Sequence, residues 1–317
     1  MRVYKILLCG SGELGSRYLQ GLKACNCPLE IFVYDPSETA LSLAKDRWNE
    51  VSFYNQKHFI SFHSSLEEIK KNIDLVIVST TSNVRLQVVE QVSKLMVKSW
   101  ILEKVLVQRV DDIESLARFI TNDSNAWVNT PRREMKWHQA IKGNLDTKSE
   151  MHFAVEGGNW GLACNSIHFL DLFSWWSGNS IEHINTEGLK DQWFESKRQG
   201  FWEVHGTLEV LLSGGSTASL TSLSSEGKVN IRISNGLEWE ITEKDGLAKR
   251  SDGFIVEGSL EYQSTLATSI VESILRNGTC NLPTLKESSI VHKVYIESML
   301  KHWKENENSQ SIKLPIT

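Results

Sequence analysis

The first third of the chain alternates continuously apolar runs with stretches whose apolar residues recur at helical spacing. Six runs have the length and composition of buried strands, at residues 3–10, 31–35, 59–62, 74–80, 100–104 and 126–130. Strands that are apolar throughout are typical of a parallel sheet covered on both faces. Repeated β-α-β units of this length predict a doubly wound parallel sheet, the Rossmann arrangement.

Beyond about residue 123 the pattern changes to alternating apolar and polar positions. The alternating runs are separated by turn sequences and lie at residues 201–213, 216–225, 229–235 and 237–243. They predict an antiparallel sheet. We also predict helices at 134–142, 166–177, 262–276 and 286–303, and a final strand at 311–316. The sequence therefore predicts a Rossmann domain over residues 1–123. An α+β domain with a large open, mainly antiparallel sheet is predicted over 124–317.

Composition narrows the class of protein. The formal charge of −5 gives no basic excess that would recruit nucleic acid and no polybasic run for a membrane surface. No apolar run approaches the roughly 20 residues that span a bilayer. The 5 cysteines lack CxxC spacing, which argues against a disulfide framework and a structural zinc. We expect a cytoplasmic protein without a metal site.

A glycine-rich motif follows the first predicted strand and opens the first helix. It has the GxGxxG pattern and comprises Gly10, Ser11, Gly12, Glu13, Leu14 and Gly15. The glycines allow a tight turn, and a diphosphate can then bind at the helix N-terminus. Asp35, at the end of the second strand, can accept hydrogen bonds from ribose hydroxyls and would repel a 2′-phosphate. The next arginine is Arg47. These residues favour NAD over NADP, with a flavin dinucleotide as the alternative.

The ends of the fourth and fifth strands supply further candidates, because ligands of open α/β sheets lie beyond the carboxyl ends of the strands. Thr80, Thr81 and Asn83 follow the fourth strand, and Glu103 and Lys104 end the fifth. We expect these residues to border the nicotinamide end of a cofactor. Lys104 is then either a reacting group or a surface lysine paired with Glu103.

The segment 157–178 holds the other candidate for chemistry. Asn165 resembles a helix cap, which would put His168 in the first helical turn, where the helix dipole disfavours the imidazolium. A neutral His168 could take a proton. Asp171, three residues further on, could orient the ring or face solvent. The alternative is that His168 is a structural residue of the helix.

Taken together, these motifs resemble those of the Gfo/Idh/MocA oxidoreductases. The marks are GxGxxG with Asp35, the TTSN segment at 80–83, Glu103-Lys104, and two glycines leading to H-x-x-D in a helix. The resemblance continues through 129–133 to the helix over 284–300. Three positions differ. Val105 stands in place of the proline of the family's Glu-Lys-Pro signature, Cys164 in place of a common aspartate, and Thr81 in place of a proline.

The resemblance implies an NAD-dependent dehydrogenase that acts on a secondary alcohol or ketone of a sugar, cyclitol or nucleotide-sugar. It implies that His168 takes the hydroxyl proton while Lys104 hydrogen-bonds the same oxygen, and that the protein is a homodimer or homotetramer. Further candidate contacts to substrate are Asn165, Cys164, Asp171, Trp160 and Arg133. Trp160 can equally be core, and Arg133 can equally cap a domain junction. The alternative functions are a catalytically silent NAD- and sugar-binding sensor, and an imine or tetrapyrrole reductase.

Overall fold

The first sheet is parallel and carries the motifs of the N-terminal part. The structure is a computed structural model that describes residues 2–50, 57–120, 124–307 and 310–317. Within these residues the strands are β1 (Tyr4–Cys9), β2 (Leu29–Tyr34), β3 (Phe59–His63), β4 (Leu75–Val78), β5 (Ser99–Glu103) and β6 (Asn125–Asn129). They pair in the order β3-β2-β1-β4-β5-β6, with every pairing parallel. The order reverses beside β1, and such switch points are where doubly wound sheets bind their ligands.

The helices that connect these strands are α1 (Glu13–Lys23), α2 (Glu38–Glu50), α3 (Ser82–Ser93) and α4 (Asp111–Phe119). β4 and β5 are buried at every position, as the continuous apolar runs predict for strands covered on both faces. The Rossmann prediction is confirmed.

The second sheet is mixed but mainly antiparallel. Its strands are β7 (His152–Gly158), β8 (Ile181–Asn185), β9 (Leu189–Glu195), β10 (Trp202–Leu212), β11 (Thr217–Leu223), β12 (Asn230–Ser234), β13 (Glu238–Thr242), β14 (Leu247–Arg250) and β15 (Ile255–Glu257). The order is β15-β14-β13-β12-β7-β11-β10-β8, and β9 also pairs with β10. The pairing of β7 with β11 is parallel. The prediction of a large, mainly antiparallel sheet is confirmed.

The remaining helices are α5 (Lys136–Lys142), α6 (Leu162–Ser177), α7 (Gln263–Asn277) and α8 (Leu285–Asn306). The residues form two compact units, of which the first comprises Met1–Val107, Asp111–Glu134 and Glu261–Leu285. The second comprises Gln108–Val110, Met135–Leu260 and Lys286–Thr317. α7 belongs to the first unit because it packs on α1, where Thr268 Oγ1 donates to Gly21 O at 2.8 Å. The domain boundary predicted between residues 123 and 124 stays a prediction, and residue 123 lies outside the described residues.

The C-terminal segment is not the strand that its sequence predicts. Residues 311–316 have no strand geometry, although Leu314 N donates to Gln108 O at 2.9 Å and Pro315 O accepts from Trp202 N at 2.8 Å. Isolated bonds of this kind hold the segment, since Pro315 has no amide N–H with which to continue a ladder. Among the described residues, no helix combines the length and apolar character needed to cross a membrane.

Candidate functional site

The loop between β1 and α1 has the shape of a phosphate-binding turn. A Cβ on Gly15 would lie 2.0 Å from Gly10 O, so α1 can approach the end of β1 this closely only with glycine there. A Cβ on Gly12 would meet nothing within 4 Å, so the first turn of α1 faces open space. Gly12 caps α1 without a side-chain hydrogen bond. The amides at the start of α1 are therefore suited to an anion, and the residues fit a dinucleotide diphosphate.

Asp35 ties the glycine loop to the end of β2. Its Oδ2 accepts from Ser11 N at 2.8 Å and from Ser11 Oγ at 3.1 Å, while its Oδ1 accepts from Ser37 N at 2.9 Å. Ser11 is buried and Asp35 is half-buried. The structure thus brings Asp35 and the GxGxxG motif together, which their separation of about 20 residues in sequence predicted.

The loop after β4 lies against the glycine loop. The position of a Cβ on Gly10 would be 3.0 Å from Thr80 N and 3.1 Å from Thr80 Cγ2. The Thr80 hydroxyl oxygen is buried and has no hydrogen-bond partner among the described residues. Thr81 Oγ1 donates to Asn83 Oδ1 at 2.6 Å, and Asn83 is exposed. Thr80 therefore lies beside the motif, while Thr81 and Asn83 pair with each other.

Arg85 connects the loops that follow β4 and β5. It is 1% exposed and donates to Thr80 O, Val105 O and Leu106 O. These carbonyl oxygens are acceptors of the kind that a buried guanidinium needs. Arg85 therefore fixes the loop that carries Lys104.

Glu103 and Lys104 have different surroundings, although they are adjacent. Glu103 is 3% exposed, and its Oε1 accepts from Tyr18 OH and from Asn129 Nδ2, each at 2.6 Å. Burial raises the pKa of this carboxyl, while both hydrogen bonds act in the opposite direction. Lys104 is half-buried, and the Lys104–Val105 peptide bond is cis. Glu103 thus joins α1, β5 and β6, and it does not serve as an exposed partner for Lys104.

In the second unit, α6 begins earlier than its sequence predicts. Leu162 is its first residue and Gly161, with φ of 77°, is its N-cap. Asn165 is not the cap: its backbone N donates to Gly161 O at 2.9 Å, within the helix. His168 is consequently in the second turn, and the prediction that the helix dipole disfavours its imidazolium is wrong, because that effect falls off within the first turn.

The start of α6 is capped by a residue from a distant strand. Glu203, on β10, accepts from Ala163 N at 2.7 Å and from Cys164 N at 3.2 Å, and is 6% exposed. Tyr295, on α8, donates from its hydroxyl to Ala163 O at 2.6 Å. A buried carboxylate that accepts from first-turn amides satisfies groups that otherwise lack a partner. Sequence reasoning missed Glu203 and Tyr295 because neither carries a local capping pattern.

The predicted substrate contacts of the second unit cluster around α6. Cys164, His168 and Asp171 follow one helical face, since their spacing is four and three residues. Asp171 is 2% exposed, so the expectation that it could face solvent is wrong. Asn165 Nδ2 donates to Trp160 O at 2.9 Å, and Trp160 Nε1 donates to Thr221 O at 2.8 Å.

Two further predictions concern Arg133 and metals. Arg133 lies in the first unit, on a 3-10 turn over Pro131–Glu134, and is 8% exposed. A buried guanidinium is compatible with a structural role, and its contact to substrate stays a prediction. Within the part of the chain that the structure describes, no group of His, Cys, Asp or Glu is arranged to hold a metal ion.

No family model matches the chain, and no curated protein matches its sequence. Solved structures match almost its whole length. An oxidoreductase from Agrobacterium radiobacter in complex with NAD+, L-tartaric acid and magnesium has a TM-score of 0.71 at 16% identity, covering 93% of this chain and 96% of its own. UDP-N-acetylglucosamine 3-dehydrogenase from Acidithiobacillus ferrooxidans has a TM-score of 0.73 at 14% identity, and the match covers 95% of this chain and 98% of its own.

A super-repressor mutant of Gal80p from Saccharomyces cerevisiae matches equally well. Its TM-score is 0.70 at 14% identity, with 95% of this chain and 96% of its own covered. The chain therefore has the fold of the Gfo/Idh/MocA-type oxidoreductases, as the resemblance of its motifs predicted. Both dehydrogenases and a repressor use this fold, so the fold by itself does not decide the activity.

Proposed function

We propose that the chain is an NAD-dependent oxidoreductase that acts on a secondary alcohol or ketone of a sugar, cyclitol or nucleotide-sugar. The observation that carries the proposal is the open space above Gly12 at the start of α1, with Asp35 bonded to the same loop. Glycine loop, helix N-terminus and carboxylate are the three parts that recognise a dinucleotide diphosphate and its ribose. Among the matching structures, the Agrobacterium radiobacter protein is an oxidoreductase solved with NAD+, and the Acidithiobacillus ferrooxidans protein is a dehydrogenase.

The cofactor fits the first unit on the chemistry of its residues. Gly10 to Gly15 would hold the diphosphate by backbone amides, Asp35 would accept from ribose hydroxyls, and Thr80 has a hydroxyl to donate beside the loop. A carboxylate at position 35 disfavours a 2′-phosphate, which supports NAD over NADP. When bound, the nicotinamide supplies a hydride acceptor or donor.

The chain's own residues supply the proton chemistry. We assign His168 as the group that takes the proton of the reacting hydroxyl, and Lys104 as the donor of a hydrogen bond to the developing alkoxide. In ketone reduction the same groups act in reverse. The H-x-x-D motif at His168 and the Glu-Lys motif at Lys104 support these roles. The carboxylate of Asp171, on the same helical face as His168, is suited to orient the imidazole.

Contacts to substrate are assigned to the region before and along α6. Asn165 donates from Nδ2 to Trp160 O, and this bond orients the side-chain amide so that Asn165 Oδ1 points away from Trp160 O. An amide oxygen accepts from a hydroxyl, which suits a polyhydroxylated substrate. Cys164 supplies a thiol at the position of the family's aspartate. A homodimer or homotetramer stays a prediction from the resemblance.

A regulatory protein of the same fold is the alternative. It is favoured by two departures from the family pattern, Cys164 and Val105, and by the structural match to the Gal80p super-repressor mutant. Such a protein would bind NAD and a sugar-like ligand without turnover. Retention of both Lys104 and His168 favours the enzyme, since a silent protein has no need of a proton acceptor.

A screen of nicotinamide absorbance separates the two. NAD is offered with sugars, cyclitols and nucleotide-sugars to the wild type and to Lys104→Met, and binding of NADH is measured for both. Turnover that is lost in Lys104→Met while NADH binding persists supports the enzyme and the role of Lys104. Equal turnover in the variant contradicts that role. Tight NADH binding without turnover of any compound supports the regulatory alternative.

A further inference from the structure

Arg47 is connected to the glycine loop in two ways, although its distance in sequence gave no sign of this. One guanidinium nitrogen of Arg47 donates to Glu13 Oε1 at 2.5 Å. The other donates to Ser16 Oγ at 2.9 Å, and this hydroxyl donates in turn to Gly12 O at 2.9 Å. Ser16 is 1% exposed, so the second connection runs beneath the loop.

Glu13 is an unusual residue to find beside an anion site. It is the first residue of α1, directly after Gly12, where the partial positive charge of the helix favours a phosphate. A carboxylate there competes for the same helix terminus and repels a bound diphosphate. The Glu13 side chain is 71% exposed, against 24% for Arg47, so Glu13 reaches solvent while Arg47 is held against the protein.

We propose that Arg47 determines the affinity for the dinucleotide, by neutralising Glu13 at the start of α1 and by fixing Ser16 beneath the glycine loop. This inference rests on the proposed use of NAD. It makes Arg47 a positioning residue, because it acts through Glu13 and Ser16. It also gives a reason for NAD preference beyond Asp35: the guanidinium of Arg47 is already engaged by two partners and is not offered to a 2′-phosphate.

The test is a double-mutant cycle on NADH affinity, measured by fluorescence titration at low salt. Arg47→Met leaves the charge of Glu13 uncompensated and should raise the Kd of NADH about fivefold, the scale of one charge interaction at short range in water. Glu13→Gln should lower the Kd. In the Glu13→Gln background, Arg47→Met should change the Kd by less than about twofold, because no carboxylate is left for Arg47 to neutralise. At high salt the differences should shrink, since the pair is partly exposed.

Arg276→Met is the matched control. Arg276 pairs with Glu272 at 3.4 Å on α7 of the same unit and has no contact with the glycine loop among the described residues, so its removal should leave the Kd unchanged. Glu13→Gln keeps the test decisive if Arg47→Met folds poorly, which thermal unfolding would reveal. No tightening in Glu13→Gln overturns the inference, as does an Arg47→Met effect that is equally large in the Glu13→Gln background and in the wild type. A wild type that binds neither NADH nor NADPH overturns the proposed function and the inference with it.

Discussion

Alanine at either of two glycines in the loop after β1 should impair the protein in different ways, through cofactor binding at Gly12 and through stability at Gly15. Gly12 has φ of −64° and ψ of −160°, an extended conformation that alanine adopts, and a Cβ there meets nothing within 4 Å. Gly12→Ala should therefore leave the folded protein unchanged or more stable by about 0.4–1 kcal/mol, through the restricted unfolded chain. Its methyl would nevertheless occupy the space that the diphosphate needs, so NADH should bind about tenfold more weakly or worse.

Gly15→Ala should instead disturb the protein before any ligand binds. The added Cβ would lie 2.0 Å from Gly10 O and 2.9 Å from Gly10 C, both backbone atoms, so α1 and the loop have to move apart. Overpacking of this kind costs on the order of 2–3 kcal/mol. That corresponds to a fall in melting temperature of about 4–12 °C for a unit of this size.

Thermal unfolding and NADH fluorescence titration on the same preparations give both results. The expected pattern is a stable Gly12→Ala with poor NADH affinity and a destabilised Gly15→Ala. The reasoning is refuted if Gly12→Ala binds NADH as tightly as the wild type, because the open space at the start of α1 would then not be the diphosphate site. A Gly15→Ala variant as stable as the wild type would contradict the close approach of helix and strand.

Two further predictions concern buried carboxylates. Glu203→Ala should lower the free energy of unfolding by about 3 kcal/mol, because the amides of Ala163 and Cys164 lose their acceptor. Glu203→Gln should lower this free energy by less. If chemical denaturation finds no loss of stability in the alanine variant, the capping role is contradicted. Burial raises the folded pKa of Glu103. The wild type should therefore lose stability as pH rises from the ordinary glutamate range through this raised pKa. The melting temperature of Glu103→Gln should therefore rise relative to that of the wild type as pH rises over this range. A difference between the two melting temperatures that stays constant with pH would refute the prediction.

The first sheet could be predicted from the sequence because its signals are local. Continuous apolar runs, helical spacing between them and a GxGxxG motif with Asp35 in register all describe the same arrangement. The contact of Thr80 with the glycine loop follows from the same rule, that the carboxyl ends of neighbouring parallel strands lie at one edge.

Contacts between distant elements that no sequence motif marks could not be predicted. Asn165 is a residue type that often caps helices, but α6 begins three residues earlier, at Leu162, and the first-turn amides of Ala163 and Cys164 donate to Glu203. Capping by a distant strand leaves no pattern in the helix sequence itself. Similarly, α7 joins the first unit by packing on α1. Arg47, on α2, reaches the glycine loop through its bond to Ser16 on α1. Helix propensity is a property of a single segment, whereas these contacts depend on which surfaces the fold brings together.

The central claim, that the chain transfers a hydride, is tested most directly by following the transferred hydrogen. NADH deuterated at the nicotinamide C4 is offered with a mixture of keto-sugars, keto-cyclitols and keto-nucleotide-sugars, and the products are analysed by mass spectrometry. The account predicts a product that carries deuterium at the new secondary alcohol carbon with the wild type, and none with Lys104→Met, although both bind NADH. Deuterium transfer that is equal in the two proteins, or absent from every product despite tight NADH binding, would contradict it.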